Sequence, residues 1–173
     1  MRQMVAESMQ QRIGAQLPVE RVEDLIAAYR RTRPGATPHE ILIAITSDLI
    51  RVGSIWLAER KASEGTAPVY MYLFTWESPA RGGILKCPHT TEMPFVFDNV
   101  EPTIELVGDS PERFDLAAKM SETWLAFARS GNPNHPGIPP WPAYTSKRRA
   151  TMILNTEFKI EEDPLSEERQ AWS

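Results

Sequence analysis

The octapeptide VYMYLFTW at residues 69–76 is the strongest strand signal in the chain. Aromatic and β-branched residues of this kind favour the extended conformation. Almost every position is apolar, so the segment lacks the alternation of a half-buried strand. This composition predicts a central strand that is covered on both faces.

Two helices are predicted before this strand. Residues 19–31 place apolar side chains at helical spacing on one face: Val19, Val22, Leu25, Ile26 and Tyr29. Thr37-Pro38-His39-Glu40 has the pattern of a capping box, which predicts a second helix from Pro38 towards Lys61. This helix is apolar on several sides (Ile41, Leu42, Ile43, Ile45, Leu49, Ile50), so we expect it to be well buried or to break near Gly53.

A helix and a strand pair are predicted after the octapeptide. Asp109-Ser110-Pro111-Glu112 opens a helix with Ser110 as its cap, and its apolar stripe is Phe114, Ala117, Met120, Trp124, Phe127 and Ala128. Residues 150–155 and 158–163 have the composition of two strands. The order of elements predicts an α/β layer protein, whose few strands leave long sheet edges or form part of a larger sheet.

Composition limits the classes of protein to which the chain can belong. Its 173 residues predict a single domain over residues 1–173, and 42% hydrophobic with 24% charged residues are typical of a globular fold. A net charge of −4 argues against a nucleic-acid partner. The chain has no long uninterrupted apolar run and no apolar leader, so we expect no membrane span. With Cys87 as the one cysteine, these features predict a cytoplasmic protein.

Sequence motifs for cofactors and metals are absent from the chain. It contains no P-loop, no G-x-G-x-x-G and no cluster of cysteine and histidine residues, so we expect neither a cofactor nor a metal ion. Of the three histidines, His39 lies in the first turn of a predicted helix and His135 lies in a proline-rich turn. We expect both to be surface residues.

His89 is the candidate catalytic residue, because its loop, CPHTTEMPFVF, follows the predicted central strand. Loops at strand ends are where α/β proteins place catalytic groups, and histidine can act as a general base near neutral pH. The residues alone leave a second interpretation open, in which His89 only hydrogen-bonds the backbone of its loop. Cys87 lies too close in sequence to act as the partner nucleophile, so we interpret it as a buried small residue.

Five ordered segments across nearly the whole chain give a family resemblance. They are ITSDLIRVGSIWLAER, APVYMYLFTWESP, GGILKCPHTTEMPFVFDN, WLAFARSGNPNHPGIPPWPAY and RRATMILNTEFKIEEDPLSEER. Together they resemble the C-terminal third of type-B carboxylesterases, the family of para-nitrobenzyl esterases and cholinesterases. The resemblance implies the C-terminal part of an α/β-hydrolase fold, with a few strands packed against helices.

The resemblance also implies a reaction and a role for His89. Enzymes of this family cleave small-molecule carboxylic esters with a Ser-Glu-His triad, in which histidine shuttles the proton. The pattern H-x-x-E-x-P-F-V-F places the family's histidine on His89. By the same match, Glu92 takes a hydrogen-bonding role in the loop, and Phe95 and Phe97 pack the loop beside the substrate pocket.

The nucleophile and the acidic triad member have no match in this chain. The sequence contains no G-x-S-x-G elbow, and the family carries both groups upstream of the segments seen here. One hypothesis is therefore a histidine-bearing fragment that needs a complementing N-terminal portion. A second is a non-catalytic interaction module that pairs with another chain or a second copy. A third has His89 recruit a local serine, either Ser78, Ser110 or Ser121.

Overall fold

The structure is a computed structural model that describes residues 1–13 and 18–173. Its helices are α1 (Arg2–Ile13), α2 (Val19–Thr32), α3 (Pro38–Glu64), α4 (Met93–Val96), α5 (Ile104–Val107), α6 (Glu112–Ser130) and α7 (Ser166–Gln170), with a 3-10 turn at Ala80–Gly83. Its strands are β1 (Met71–Phe74), β2 (Ala150–Leu154) and β3 (Lys159–Glu162). The predicted helices and the late strand pair are therefore present, and β1 is shorter than the predicted strand.

The chain forms two compact units, Met1–Leu57 with Pro164–Ser173, and Ala58–Asp163. The single domain over residues 1–173 that chain length predicts stays a prediction.

The first unit has a core between α1, α2 and the beginning of α3. The predicted face of α2 is buried at Val22, Leu25, Ile26 and Tyr29, with Val5, Ile41 and Ile45 beside it. The predicted capping box forms, because the Glu40 amide donates to Thr37 Oγ1 at 3.3 Å and the Thr37 amide donates to Glu40 Oε2 at 2.8 Å. These two bonds satisfy N–H groups that a helix start leaves unpaired.

Helix α3 is continuous through Gly53, so the expected break there does not occur. The expectation that its apolar middle is well buried is only partly correct, since Ile43 and Ile50 are about half exposed. Because i and i+7 share one side of a helix, these two residues mark a side of α3 that the described residues of this unit leave half exposed.

By length and composition alone, α3 is also the one helix among the described residues that could cross a membrane. Over its most apolar window the mean hydropathy is 1.7, and 39% of that window is buried. The buried core helix of a soluble protein has the same length and composition, so this observation is weak evidence for a membrane span.

A buried polar network fastens the C-terminal residues to the first unit. The Glu168 carboxylate is fully buried and accepts hydrogen bonds from Arg33 at 2.9 Å and Thr32 Oγ1 at 2.6 Å. Trp172 Nε1 donates to the Tyr29 hydroxyl at 2.9 Å, and that hydroxyl donates to Asp48. The Glu168 carboxylate and the Tyr29 hydroxyl thus have partners, which is the condition under which burying them is tolerated, whereas Arg33 Nε is buried without a hydrogen-bond partner among the described residues.

The second unit contains a three-stranded sheet in the order β1-β2-β3. β1 pairs in parallel with β2, with Tyr72 opposite Met152, and β2 pairs antiparallel with β3, with Met152 opposite Ile160. All five residues of β2 are buried, whereas β1 is half-buried and lies at the edge. The prediction that residues 69–76 form a central strand covered on both faces is therefore wrong for this structure.

Helix α6 and the short helix α4 lie against one face of this sheet. The core there is formed by Trp76, Phe95, Val100, Val107, Leu116, Ala117, Met120, Trp141, Met152, Leu154 and Phe158. The predicted stripe of α6 is buried at Ala117 and Met120, but Phe114 and Phe127 are exposed. Ser110 does not cap α6 as predicted: Pro111 is the N-cap residue, and the Ser110 hydroxyl is buried without a partner.

Candidate active site

His89 lies at the exposed tip of a tight turn in the loop between β1 and α4. Two hydrogen bonds close the turn beneath it, both to the carbonyl of Pro88: from the Thr91 amide at 3.1 Å and from Thr91 Oγ1 at 2.6 Å. Thr91 is completely buried, so it anchors the turn from below. The backbone of Thr90 has a φ of +75°, a conformation that non-glycine residues adopt rarely and mainly where surrounding structure enforces it.

The imidazole of His89 has no hydrogen-bond or ion-pair partner within residues 1–13 and 18–173. The interpretation of His89 as a histidine that only bonds its own loop therefore has no support in this geometry. Both ring nitrogens are open to a partner from outside the described chain. A proton shuttle needs such access on both nitrogens, one for the nucleophile and one for the orienting carboxylate.

The remainder of the loop is fixed to the end of β1 by aromatic packing. Phe95 is fully buried, with its ring centroid 5.5 Å from that of Phe74 and 5.0 Å from that of Trp76. Phe95 thus packs the loop as expected. Phe97 does not, because 68% of its surface is exposed. A large apolar side chain exposed to this degree beside a candidate active site is available to line a pocket with another segment.

Glu92 supports the loop through its backbone rather than through its side chain. Its carbonyl accepts hydrogen bonds from the amides of Phe95 at 3.1 Å and Val96 at 3.0 Å. Glu92 thus hydrogen-bonds within the loop through its carbonyl, whereas within the described residues its carboxylate has no hydrogen-bond partner. Its charge still acts locally, because it raises the pKa values of Tyr72 and Cys87 together with their burial.

Cys87 is half-buried beside β1, where its thiol donates weakly to the Phe74 carbonyl at 3.6 Å. Burial raises the pKa of this thiol to about 11, with smaller contributions from the charges of Glu92 and Glu77. A thiol that stays protonated at neutral pH is a poor nucleophile. Cys87 therefore has a structural role, although it is half-buried and not buried as expected.

Two of the three candidate serines are hydrogen-bonded to backbone carbonyls, and the hydroxyl of the third is buried. Ser78 is buried, donates to the Leu106 carbonyl at 2.6 Å and accepts from the Ala80 amide at 3.1 Å. Ser121 donates to Ala118 within α6 at 3.2 Å, and Ser110 is buried without a partner. Within the described part of the chain, none of these hydroxyls is hydrogen-bonded to His89. The arrangement does not supply a nucleophile activated by this histidine.

The other two histidines differ in their exposure to solvent. His39 is exposed in the first turn of α3, as expected. His135 is half-buried rather than on the surface: its Nδ1 accepts from the Gly137 amide at 3.2 Å, and its Nε2 lies 3.0 Å from Thr123 Oγ1. Since Nδ1 accepts, the neutral ring carries its proton on Nε2 and donates it to Thr123. His135 therefore has a structural role.

Among the residues that the structure describes, no group of three or more histidine, cysteine or acidic side chains could hold a metal ion.

An aromatic groove beside β1 was not predicted. It is a cavity of about 150 Å³ lined by Thr123 and Pro133 together with Tyr70, Tyr72, Trp124, Phe127 and Trp141. The signal for it is present in the sequence, because aromatic residues at 70, 72 and 74 alternate with Val69, Met71 and Leu73. Side chains at every second position share one face of a strand, so the pattern identifies an aromatic face within an apolar strand.

Comparisons of this sequence with known proteins find members of one family. The sequence profile of the carboxylesterase family matches residues 4–172. The chain is 38% identical over 118 residues to the para-nitrobenzyl esterase of Bacillus subtilis (strain 168), which covers 66% of this chain and 23% of that protein. It is 30% identical over 160 residues to carboxylesterase 1C of Rattus norvegicus, which covers 88% of this chain and 29% of that protein.

Solved structures of carboxylesterases also resemble the structure of this chain. The structure resembles a carboxylesterase of Geobacillus stearothermophilus with a TM-score of 0.78 at 33% identity, over 100% of this chain and 35% of that one. It resembles a thermophilic pNB esterase with a TM-score of 0.74 at 27% identity, over 100% of this chain and 34% of that one. The chain thus spans about a quarter to a third of these proteins. The predicted fold class, the C-terminal part of an α/β-hydrolase fold, is confirmed.

Proposed function

Because the chain belongs to the carboxylesterase family, we propose that it takes part in the hydrolysis of carboxylic esters, with His89 as general acid and base. The observation that carries this proposal is that the imidazole of His89, at the tip of a braced turn after β1, has no partner among the described residues. The nucleophilic serine and the acidic residue come from polypeptide outside these 173 residues. The substrate is a small-molecule carboxylic ester.

The proposed reaction has two halves, acylation of the serine and then deacylation. In each half, His89 first accepts one proton and then donates it. It accepts the proton of the serine hydroxyl as the oxygen attacks the ester carbonyl, and it returns that proton to the departing alcohol. It then takes a proton from water as the hydroxide attacks the acyl group, and it gives that proton back to the serine. The ester and water are thereby converted to an acid and an alcohol.

A chimaeric enzyme tests the role of His89. The segment of the Bacillus subtilis para-nitrobenzyl esterase that matches this chain is replaced by residues 1–173, and hydrolysis of a para-nitrophenyl ester is measured. We expect His89→Ala to lower kcat by at least about 10³-fold, as removal of a triad member does. His39→Ala is the matched control, because His39 is exposed in a helix. Equal activity of the two variants would overturn the proposal.

A second candidate function is a non-catalytic interaction module, derived from the same family. The observation that favours it is the exposure of large apolar side chains, such as Ile84 and Phe97, around the His89 loop. If the chimaera is active and His89→Ala abolishes its activity, this alternative is excluded. The cytoplasmic location and the absence of nucleic-acid and membrane partners stay predictions from composition.

A further inference from the structure

Thr91 closes the turn that carries His89 with its side chain as well as its backbone. Its hydroxyl donates to the Pro88 carbonyl at 2.6 Å, and its amide donates to the same oxygen at 3.1 Å. These two bonds span His89 and Thr90, so they fix both ends of the segment that carries the imidazole. The amide bond is available to every residue except proline at position 91, whereas the shorter bond requires a side-chain donor.

Thr90 has a backbone conformation that the turn must hold in place. Its φ of +75° lies in a region that β-branched residues adopt only where surrounding structure enforces it. A Thr90 released from the turn would relax towards negative φ and carry the neighbouring His89 with it. The hydrogen bonds of Thr91 oppose this relaxation, because they join the residues on either side of the pair.

Backbone hydrogen bonds connect this turn to the core of the second unit. The amides of Thr91, Met93 and Phe95 each donate to the carbonyl three residues earlier at 3.1 Å. Thr91 and Phe95 are fully buried, whereas His89 is exposed. Thr91 therefore lies at the junction between the fixed part of the loop and the turn that presents the imidazole.

We propose that Thr91 is a positioning residue for His89, and that its buried hydroxyl holds the imidazole in the orientation that proton transfer requires. This inference rests on the proposed function, in which His89 is the general acid and base. Thr91 contacts no reacting atom and acts through His89 alone. A reacting group displaced by about 1 Å can lose about 10²-fold in rate, so a loosened turn lowers kcat even when the substrate still binds.

The chimaera of residues 1–173 with the Bacillus subtilis para-nitrobenzyl esterase tests this role. Thr91→Val keeps the shape of the side chain and removes the hydroxyl. We expect it to lower kcat for a para-nitrophenyl ester at least about tenfold and to leave KM within about twofold. Thr91→Ser retains the donor and should keep at least about half of kcat.

Thr46→Val is the matched control for loss of a buried threonine hydroxyl. Thr46 is buried in α3, where its hydroxyl donates to the Leu42 carbonyl at 2.9 Å. We expect this variant to keep kcat within about twofold, because Thr46 belongs to a different unit from His89. Thermal unfolding shows that each variant is folded at the assay temperature. Equal kcat values for Thr91→Val and Thr46→Val would overturn the positioning role.

A double-mutant cycle separates positioning from a general effect on the fold. If Thr91 acts only through His89, its hydroxyl has no function once the imidazole is absent. In a chimaera that already carries His89→Ala, we therefore expect Thr91→Val to change the residual rate by less than about twofold. The same tenfold loss in both backgrounds would show that Thr91 acts by another route, and the inference would fail.

Hydrogen exchange in the 173-residue chain tests the turn without any ester hydrolysis. We expect the amide of residue 91, corrected for its intrinsic rate, to exchange at least about tenfold faster in Thr91→Val than in the parent chain. Thr91→Ser should exchange at the parent rate. The Phe95 amide, which belongs to the buried end of the loop, is the internal reference. Unchanged exchange at residue 91 in Thr91→Val overturns the inference.

The outcomes distinguish this inference from the proposed function. If His89→Ala abolishes activity and Thr91→Val does not lower kcat, the proposed function stands and the positioning role is overturned. Equal activity of the chimaera and its His89→Ala variant contradicts the proposed function, and the positioning role fails with it. Faster exchange at residue 91, together with a lower kcat that Thr91→Ser restores, supports both.

Discussion

The turn that carries His89 takes its shape from Pro88 and Thr91, and the imidazole contributes nothing to holding it. Both the amide and the hydroxyl of buried Thr91 bond the Pro88 carbonyl. When neighbouring residues fix the backbone in this way, the side chain keeps its hydrogen-bonding atoms available for a substrate or a partner residue. The position of His89 after a strand could be predicted from sequence, whereas the anchoring by Thr91 could not, because it depends on burial.

Cys87 gives a pH-dependent prediction at this scale. With a pKa of about 11, about one thiol in a thousand is ionised at pH 8, so we expect iodoacetamide to label Cys87 about 100-fold more slowly than free glutathione. The rate should rise as the pH increases towards 11. Glu92→Gln should speed labelling at pH 8, because the Glu92 charge is one cause of the raised pKa.

Mass spectrometry of the labelled peptide provides the measurement. Glu101→Gln, an exposed position that makes no contribution to this pKa, is the control. Labelling of the folded chain at the rate of glutathione would contradict the raised pKa.

At the scale of elements, helix α7 is held to α2 by buried polar contacts. Glu168 is fully buried between Arg33 and Thr32, while its neighbour Glu167 is exposed and lies 3.8 Å from Arg31. Exposed pairs of this kind contribute little, whereas hydrogen bonds to a buried charge contribute more. The last helix is therefore a structural part of the first unit.

Substitution of the two glutamates tests this contrast. We expect Glu168→Gln to lower the free energy of unfolding by about 1.5–3 kcal/mol, because both hydrogen bonds to the charged carboxylate are weakened. Glu167→Gln should change it by less than about 0.5 kcal/mol. Urea denaturation monitored by tryptophan fluorescence measures both values. Equal effects of the two substitutions would show that burial of Glu168 does not stabilise this unit.

Elements defined by local chemistry and the buried faces of α2 were predictable, whereas the burial of β1 and of Phe97 was not. The capping box of Thr37 and Glu40 located the start of α3, since both partners lie within one turn. The edge position of β1 and the exposure of Phe97 could not be predicted. An apolar residue signals that something covers it, but the pattern does not say which segment does so.

At the scale of the whole molecule, none of the three candidate serines pairs with His89 within the residues that the structure describes. Ser78, Ser110 and Ser121 are buried or bonded to backbone, and none is hydrogen-bonded to His89. A serine hydroxyl reacts as a nucleophile only when a base lies within hydrogen-bond reach.

Fluorophosphonate labelling of the folded 173-residue chain should therefore give no adduct. Intact mass spectrometry provides the measurement, and the Bacillus subtilis para-nitrobenzyl esterase, treated in parallel, is the positive control. A stoichiometric adduct would mean that the chain assembles its own nucleophile. Peptide mapping would then identify the serine, and the proposal that the serine comes from outside these residues would fail.

The two edge strands of the sheet differ in charge, because β1 carries no charged side chain and β3 carries three. This difference limits how far strand pairing could extend from one molecule to the next. A fibre grows when every molecule that joins offers the next one an edge like the edge it has just covered. Here the strand opposite β1 is β3, and its Lys159, Glu161 and Glu162 discourage further pairing. A strand that added at β1 would therefore not be propagated through β3, because the charged strand would stop further growth of the sheet.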